Sequence, residues 1–189
     1  MAGGPGVAAT GAGERTWWTG VMDVAALLLE LYGRIPPLAH EAVDGLGPDE
    51  LTARPTADAN TIGWLIWHLT RVQDDHVAEL LDAEQLWVAG PWAPQLGLDP
   101  DPANTGYGHS SREVETVRPA GPDVLVDYLA AVDARTRAML RDLTADDLDR
   151  VVDRRWDPPV TLGVRLVSVA DDCLQHAGQA AFLRGLLGA

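Results

Sequence analysis

The 189-residue sequence contains no lysine. Its basic residues are all arginine, 14 of them, and against 28 Asp and Glu they leave a formal net charge of −14. A field of that sign repels phosphate backbones, which argues against nucleic acid as a partner. Cysteine is nearly absent. Cys173 stands alone, so no intramolecular disulfide can form, and a single thiol suits a reducing compartment. No apolar run approaches the ~18 residues that span a bilayer, so no membrane partner is expected. The opening MAGGPGVAATGAGERT has neither the basic region nor the apolar core of a secretory signal. Residues 1–15 are therefore read as a flexible tail, residues 16–189 as one domain, and the location as cytoplasmic. An arginine-only basic set reflects a GC-rich genome and bears on source rather than on function.

Apolar residues make up 47% of the chain, enough for a globular core. Their spacing is helical in four long segments. The first runs from about Trp17 to Leu46, with a kink or break expected at Pro36-Pro37 before Leu38–Leu46. Pro48 to Leu51 reads as a short helical turn. The second long helix begins near Thr61 and continues to about Trp87. Residues 89–121 form a long connection rich in Gly and Pro, in which Ser110 and Glu113 could make a capping box. A connection of that length is expected to cover something, here the mouth of a site. The third helix follows Gly121-Pro122 and runs to Leu143. Residues 144–160 are mixed, with some β-like alternation from Leu148 to Trp156. The fourth helix starts at an N-cap, Thr161, and ends near Leu187. The expected fold is all-α, a four-helix bundle, whose facing helices can build a metal site in the core.

Asp172 and His176 are four residues apart on the last helix and so share one face. Asp171 points elsewhere. His68, on the apolar face of the second helix, could supply a third ligand from alongside. Two imidazoles and a carboxylate with an open fourth position are the donor set of a catalytic divalent metal site. Zinc is the first expectation, and nickel, cobalt, manganese or iron would accept the same N,N,O set. The competing reading of His68 is a core histidine bonded to a neighbouring carbonyl or carboxylate. His76, ~12 Å along the helix from His68, cannot bind the same ion. His109, in the long connection, could approach the site as a proton carrier. Arg71 and Arg184 are candidates for a substrate carboxylate, against the alternative of surface ion pairs. Trp92 and Trp156 are candidates to shape a pocket, and the remaining tryptophans are expected in the core. Cys173 reads as a small core residue, because Asp171 and Asp172 do not favour a thiolate.

Two stretches carry a family likeness: residues 60–76, NTIGWLIWHLTRVQDDH, and residues 165–180, RLVSVADDCLQHAGQA. Together they resemble the DinB-like superfamily of metal-binding four-helix bundles, over about Val21 to Leu187. The superfamily's usual ligands are one histidine late in the second-helix motif and an H-x-x-x-H pair on the last helix. His68 and His176 match; Asp172 stands where the middle histidine would be. The mycothiol-dependent maleylpyruvate isomerase, a relative, has a glutamate there. The resemblance implies a metal-dependent S-transferase, in which a mycothiol-type thiol attacks a small electrophile. In that reading His68, Asp172 and His176 are ligands and a polar loop residue, Tyr107 or His109, handles protons. Mycothiol belongs to actinobacteria, in keeping with the GC-rich composition, and a homodimer is compatible with the superfamily. Two alternatives stand beside it: a metal-assisted hydrolase, and a bundle that binds metal or a small ligand without turnover.

Overall fold

The computed structural model describes residues 22–189. The expected tail and the expected helical start at Trp17 lie outside the described residues. The first long segment is two helices, α1 (Val24–Tyr32) and α2 (Ile35–Val43). The break falls at Gly33-Arg34, slightly before the prolines. Pro36 and Pro37 instead occupy the first turn of α2, where a missing backbone N–H costs nothing. Asp23 caps α1 by accepting from the Ala26 backbone N–H at 2.8 Å. Pro48–Leu51 is the expected single turn, α3.

Helix α4 (Ile62–Leu81) starts at the N-cap Thr61 and ends at Asp82, which adopts a left-handed conformation with φ 49°. It therefore stops short of Trp87, which lies on the separate turn α5 (Leu86–Ala89). The separation has a visible cause. The buried Asp74 carboxylate accepts from the backbone N–H groups of Leu86 (3.0 Å) and Trp87 (2.7 Å), so α5 begins on a side chain of α4. Two further turns, α6 (Trp92–Gln95) and α7 (Ser111–Val114), interrupt the long connection. The expected Ser110–Glu113 capping box opens α7.

Helix α8 (Pro122–Leu140) follows, then a 3-10 turn (Asp146–Asp149). A small antiparallel pair comes next, β1 (Val151–Asp153) and β2 (Val160–Thr161). Helix α9 (Leu162–Leu187) starts from Thr161, whose hydroxyl accepts from the Val164 N–H. The four long segments close into a bundle in which α4 and α2 each lie between α8 and α9. The core includes Tyr32, Ile35, Leu65, Ile66, Leu69, Leu125, Tyr128, Leu166 and Cys173, all buried. No helix among the described residues is long and apolar enough to cross a membrane. The fold is the expected all-α bundle, and its most extensive helix pair, α4 with α9, carries the histidines of interest.

Candidate metal centre and its cleft

His68 lies in the middle of α4, and Asp172 and His176 lie in the middle of α9. The packing of these helices brings one donor atom from each to within 4.8 Å of the others. His68 is 5% exposed. Its Nδ1 is 2.6 Å from the Thr105 carbonyl. A carbonyl only accepts, so Nδ1 carries the proton and the Nε2 lone pair is left for the cluster. His176 is held in the same sense. Its Nδ1 donates to Gln179 Oε1 at 2.9 Å, and its Nε2 faces Asp172 Oδ1 at 3.5 Å. Metal-binding imidazoles are commonly fixed in this way, with the distal N–H on an acceptor and the other nitrogen aimed at the ion.

Asp172 adds a second sign. Its Oδ2 is buried and has no hydrogen-bond partner among the described residues. A buried carboxylate oxygen without a donor is costly, and a cation shared with two imidazoles satisfies it. The residues present therefore fit a divalent ion. The two imidazoles are shifted in opposite directions. Burial pushes the His68 pKa down, and the pull of the Thr105 carbonyl and of Asp172 does not reverse it, which favours the neutral ring. Burial also works against charge on His176, but the bonds to Asp172 and Gln179 outweigh it and raise its pKa.

The rear of the site is aromatic. Trp64, one turn before His68, stacks on its ring at a centroid distance of 4.6 Å and meets the His176 ring edge-on at 6.1 Å. The connection closes over this stack at Gly106, with φ 90°. A Cβ there would fall 2.7 Å from His68 Nδ1 and 2.8 Å from the Trp67 ring. Both the left-handed backbone and the lack of space require glycine. Gly106→Ala is expected to destabilise the fold by about 1–3 kcal/mol. It should also weaken metal binding by moving the adjacent Thr105 carbonyl off His68. Thermal unfolding together with a metal titration would test this, and an unchanged midpoint with unchanged affinity would refute it.

In front of the cluster is a cleft of about 430 Å³ between α4 and α9. It is lined by His68 and Asp172 of the cluster, by Val72, Asp75, His76 and Ser168 along the two helices, and by Thr105 and Tyr107 of the long connection. The long connection thus borders the site, as its length suggested. Tyr107 is 92% exposed. His109 is close to the stack but fully engaged. Its Nδ1 accepts from Trp64 Nε1–H at 3.2 Å and its Nε2 bonds Asn104 Oδ1 at 2.9 Å. Burial lowers its pKa.

Three expected substrate contacts do not reach the cleft. Arg71 is fully buried. Its guanidinium donates to the carbonyls of Asn104 and Pro102, to Gln85 Oε1 and to the Tyr128 hydroxyl, and it lies 5.1 Å from the centre of the Trp87 ring. Four of its five N–H groups are thus engaged, the remaining Nη1–H lies on the side of Asp74 Oδ2 at 3.5 Å, and its work is to hold the 102–104 backbone. Arg184 donates to the carbonyls of Glu41 and Ala189 near the C-terminal end of α9. Trp92 packs on Tyr128, 4.9 Å between centroids. The other pocket candidate, Trp156, is 66% exposed and is not among the residues lining the cleft. Cys173 is buried, its Sγ is 3.4 Å from the Leu69 carbonyl, and burial pushes its pKa up, so it is the inert core residue expected. Sequence reasoning missed Trp64, Thr105, Gly106 and Gln179. Two of them had a local signal: Trp64 is at i−4 from His68, and Gln179 is at i+3 from His176.

No curated protein sequence matches this chain. Among solved structures, one described as a conserved protein from Enterococcus faecalis is similar. It is 32% identical with a TM-score of 0.80, over 89% of this chain and 100% of that one. The family description Mycothiol-S-transferase matches residues 38–189, which include α4, the covering connection and α9. With that match over most of its length, the chain belongs to the Mycothiol-S-transferase family, a DinB-like family.

Proposed function

We propose that the protein is a divalent-metal-dependent thiol S-transferase that uses a mycothiol-type thiol and acts on small electrophiles. The observation that carries the reading is the convergence of two acceptor-pinned imidazoles and an unpartnered carboxylate oxygen beside a cleft that His68 and Asp172 line. His68 Nε2, Asp172 and His176 Nε2 would hold the ion. When bound, it supplies the positive charge that keeps a coordinated thiol as its thiolate at neutral pH. Zinc is the first expectation for this donor set, which nickel, cobalt, manganese or iron also fit.

The chain's own residues do the rest. Thr105 and Gln179 fix the tautomers of the two imidazoles, so that each Nε2 lone pair is left for the ion. Trp64 covers the His68 ring and keeps water from that side. In the transfer, the thiol sulfur forms a bond to the electrophilic carbon and an electron pair departs with the leaving group or moves onto the acceptor. The thiol proton goes to solvent. Of the two loop candidates for proton handling, Tyr107 stands at the rim with an exposed ring, whereas His109 would first have to release Trp64 or Asn104. His109 serves better as the strut of the Trp64 ring.

Elemental analysis of the purified protein should give roughly one divalent ion per chain. Mycothiol conjugation to an alkyl halide should fall at least about tenfold after chelation and recover on zinc addition. Full conjugation by protein shown to be metal-free would sink the reading.

A further inference from the structure

The cleft does not end at the metal cluster. At its other end is His76, two turns further along α4 and ~12 Å from His68. Its Nδ1 is 2.7 Å from Arg165 Nη1. A guanidinium only donates, so Nδ1 is an acceptor and the His76 proton sits on Nε2. Arg165 is itself buried and fixed, bonding Glu79 Oε2 at 2.7 Å and Asp153 Oδ2 at 3.1 Å. Asp153 is clamped in turn by Arg155. The β1 strand, α4 and α9 therefore combine to hold one imidazole in one tautomer. The Nε2–H so defined has no protein acceptor among the described residues.

The surroundings decide what that donor takes. The carboxylates of Asp75 and Glu79 each lie 3.8 Å from His76 Nδ1. No arginine lines the cleft, and the charge of Arg165 is already spent on Glu79 and Asp153. An anionic group is disfavoured there, and an uncharged oxygen acceptor is favoured. Burial and the Arg165 charge lower the His76 pKa against the opposing pull of Asp75 and Glu79, which favours the neutral ring.

We propose that His76, positioned by Arg165, is a specificity-determining residue that donates its Nε2–H to an uncharged oxygen, hydroxyl or carbonyl, on the distal arm of the thiol co-substrate. The inference rests on the thiol-transfer reading. A thiol anchored at the His68 end reaches His76 only if it carries a long, oxygen-rich arm. Mycothiol, with its sugar and inositol, has one; N-acetylcysteine does not.

The test is calorimetric binding of each thiol to the full-length, zinc-loaded protein, with wild type, His76→Leu and His76→Gln compared. Metal content is measured alongside to confirm that the inner cluster is intact. Loss of one hydrogen bond should weaken mycothiol binding about tenfold in His76→Leu. Binding of N-acetylcysteine should be unchanged, and His76→Gln, which keeps a donor, should recover part of the loss. Equal mycothiol affinity in all three proteins overturns the inference and leaves the thiol reading standing. Equal losses for both thiols also overturn it, because they indicate a structural role. A wild-type protein that binds neither thiol overturns the inference and the thiol reading together.

Discussion

Replacing His176 with alanine is expected to lower affinity for a divalent ion by at least about a hundredfold and to leave the purified protein metal-free. Changes to residues that merely orient a ligand already cost 10–100-fold, and His176 would be a ligand itself. Gln179→Ala, which frees the His176 ring without removing it, should therefore cost about tenfold. The fold should survive both changes, since His176 is only partly buried and its hydrogen bonds stay within one stretch of α9. Circular dichroism and unfolding curves run beside the metal titration would check that. Retention of stoichiometric metal by His176→Ala would refute the three-residue site. The pH dependence has a definite sign. The raised pKa of His176 means that a proton competes with the ion into the upper part of the histidine range, so affinity should rise with pH through that range. In the metal-free protein the same shift acts oppositely on stability. The protonated pair with Asp172 stabilises the fold below the unfolded histidine pKa, and that contribution is lost as pH rises through the folded one.

The residues that could be found from sequence are those whose spacing on one helix carries the information. Asp172 and His176 are adjacent on α9 by helical geometry alone, and His68 stands out as a polar residue among apolar neighbours. The packing of α4 on α9 then makes the three a cluster. What the periodicity did not reveal depends on backbone remote in sequence. Nothing local says that the Thr105 carbonyl meets His68, because that contact depends on how the connection returns over α4. Gly106 is the trace it leaves, a glycine needed for a left-handed turn against two aromatic rings. Arg71 is a related case. It is one turn from His68 on α4, which makes it a candidate for either a substrate contact or a surface ion pair, but the loop carbonyls at 102 and 104 and the Tyr128 hydroxyl draw it inward. Trp87 continues the apolar pattern of α4, so periodicity alone carries the helix past its true end at Leu81. The side chain of Asp74, a tertiary contact, restarts the chain there as α5.

That contact predicts the largest loss of stability. Asp74→Ala is expected to destabilise the protein by about 3–5 kcal/mol. For a chain of this size that lowers the unfolding midpoint by on the order of ten degrees. Asp74 and Arg71 are both fully buried, with Arg71 Nη1 3.5 Å from Asp74 Oδ2. Asp74 also accepts from the Tyr128 hydroxyl at 2.7 Å and from the Leu86 and Trp87 N–H groups. Its removal leaves a buried guanidinium without its counter-charge and two backbone donors without acceptors. Each is among the few changes that cost more than a surface substitution. Asp74→Asn, which keeps the shape and one acceptor oxygen, should lose less than Asp74→Ala. The damage should also reach the metal cluster. Arg71 holds the carbonyls of Pro102 and Asn104, and the next carbonyl, Thr105, fixes His68. Chemical denaturation of metal-free wild type and the two variants measures the first effect, and zinc titration measures the second. A stability change under about 1 kcal/mol for Asp74→Ala would mean that the pair contributes no more than an exposed one. In that case the connection would be held over His68 by its own turns rather than by the buried arginine.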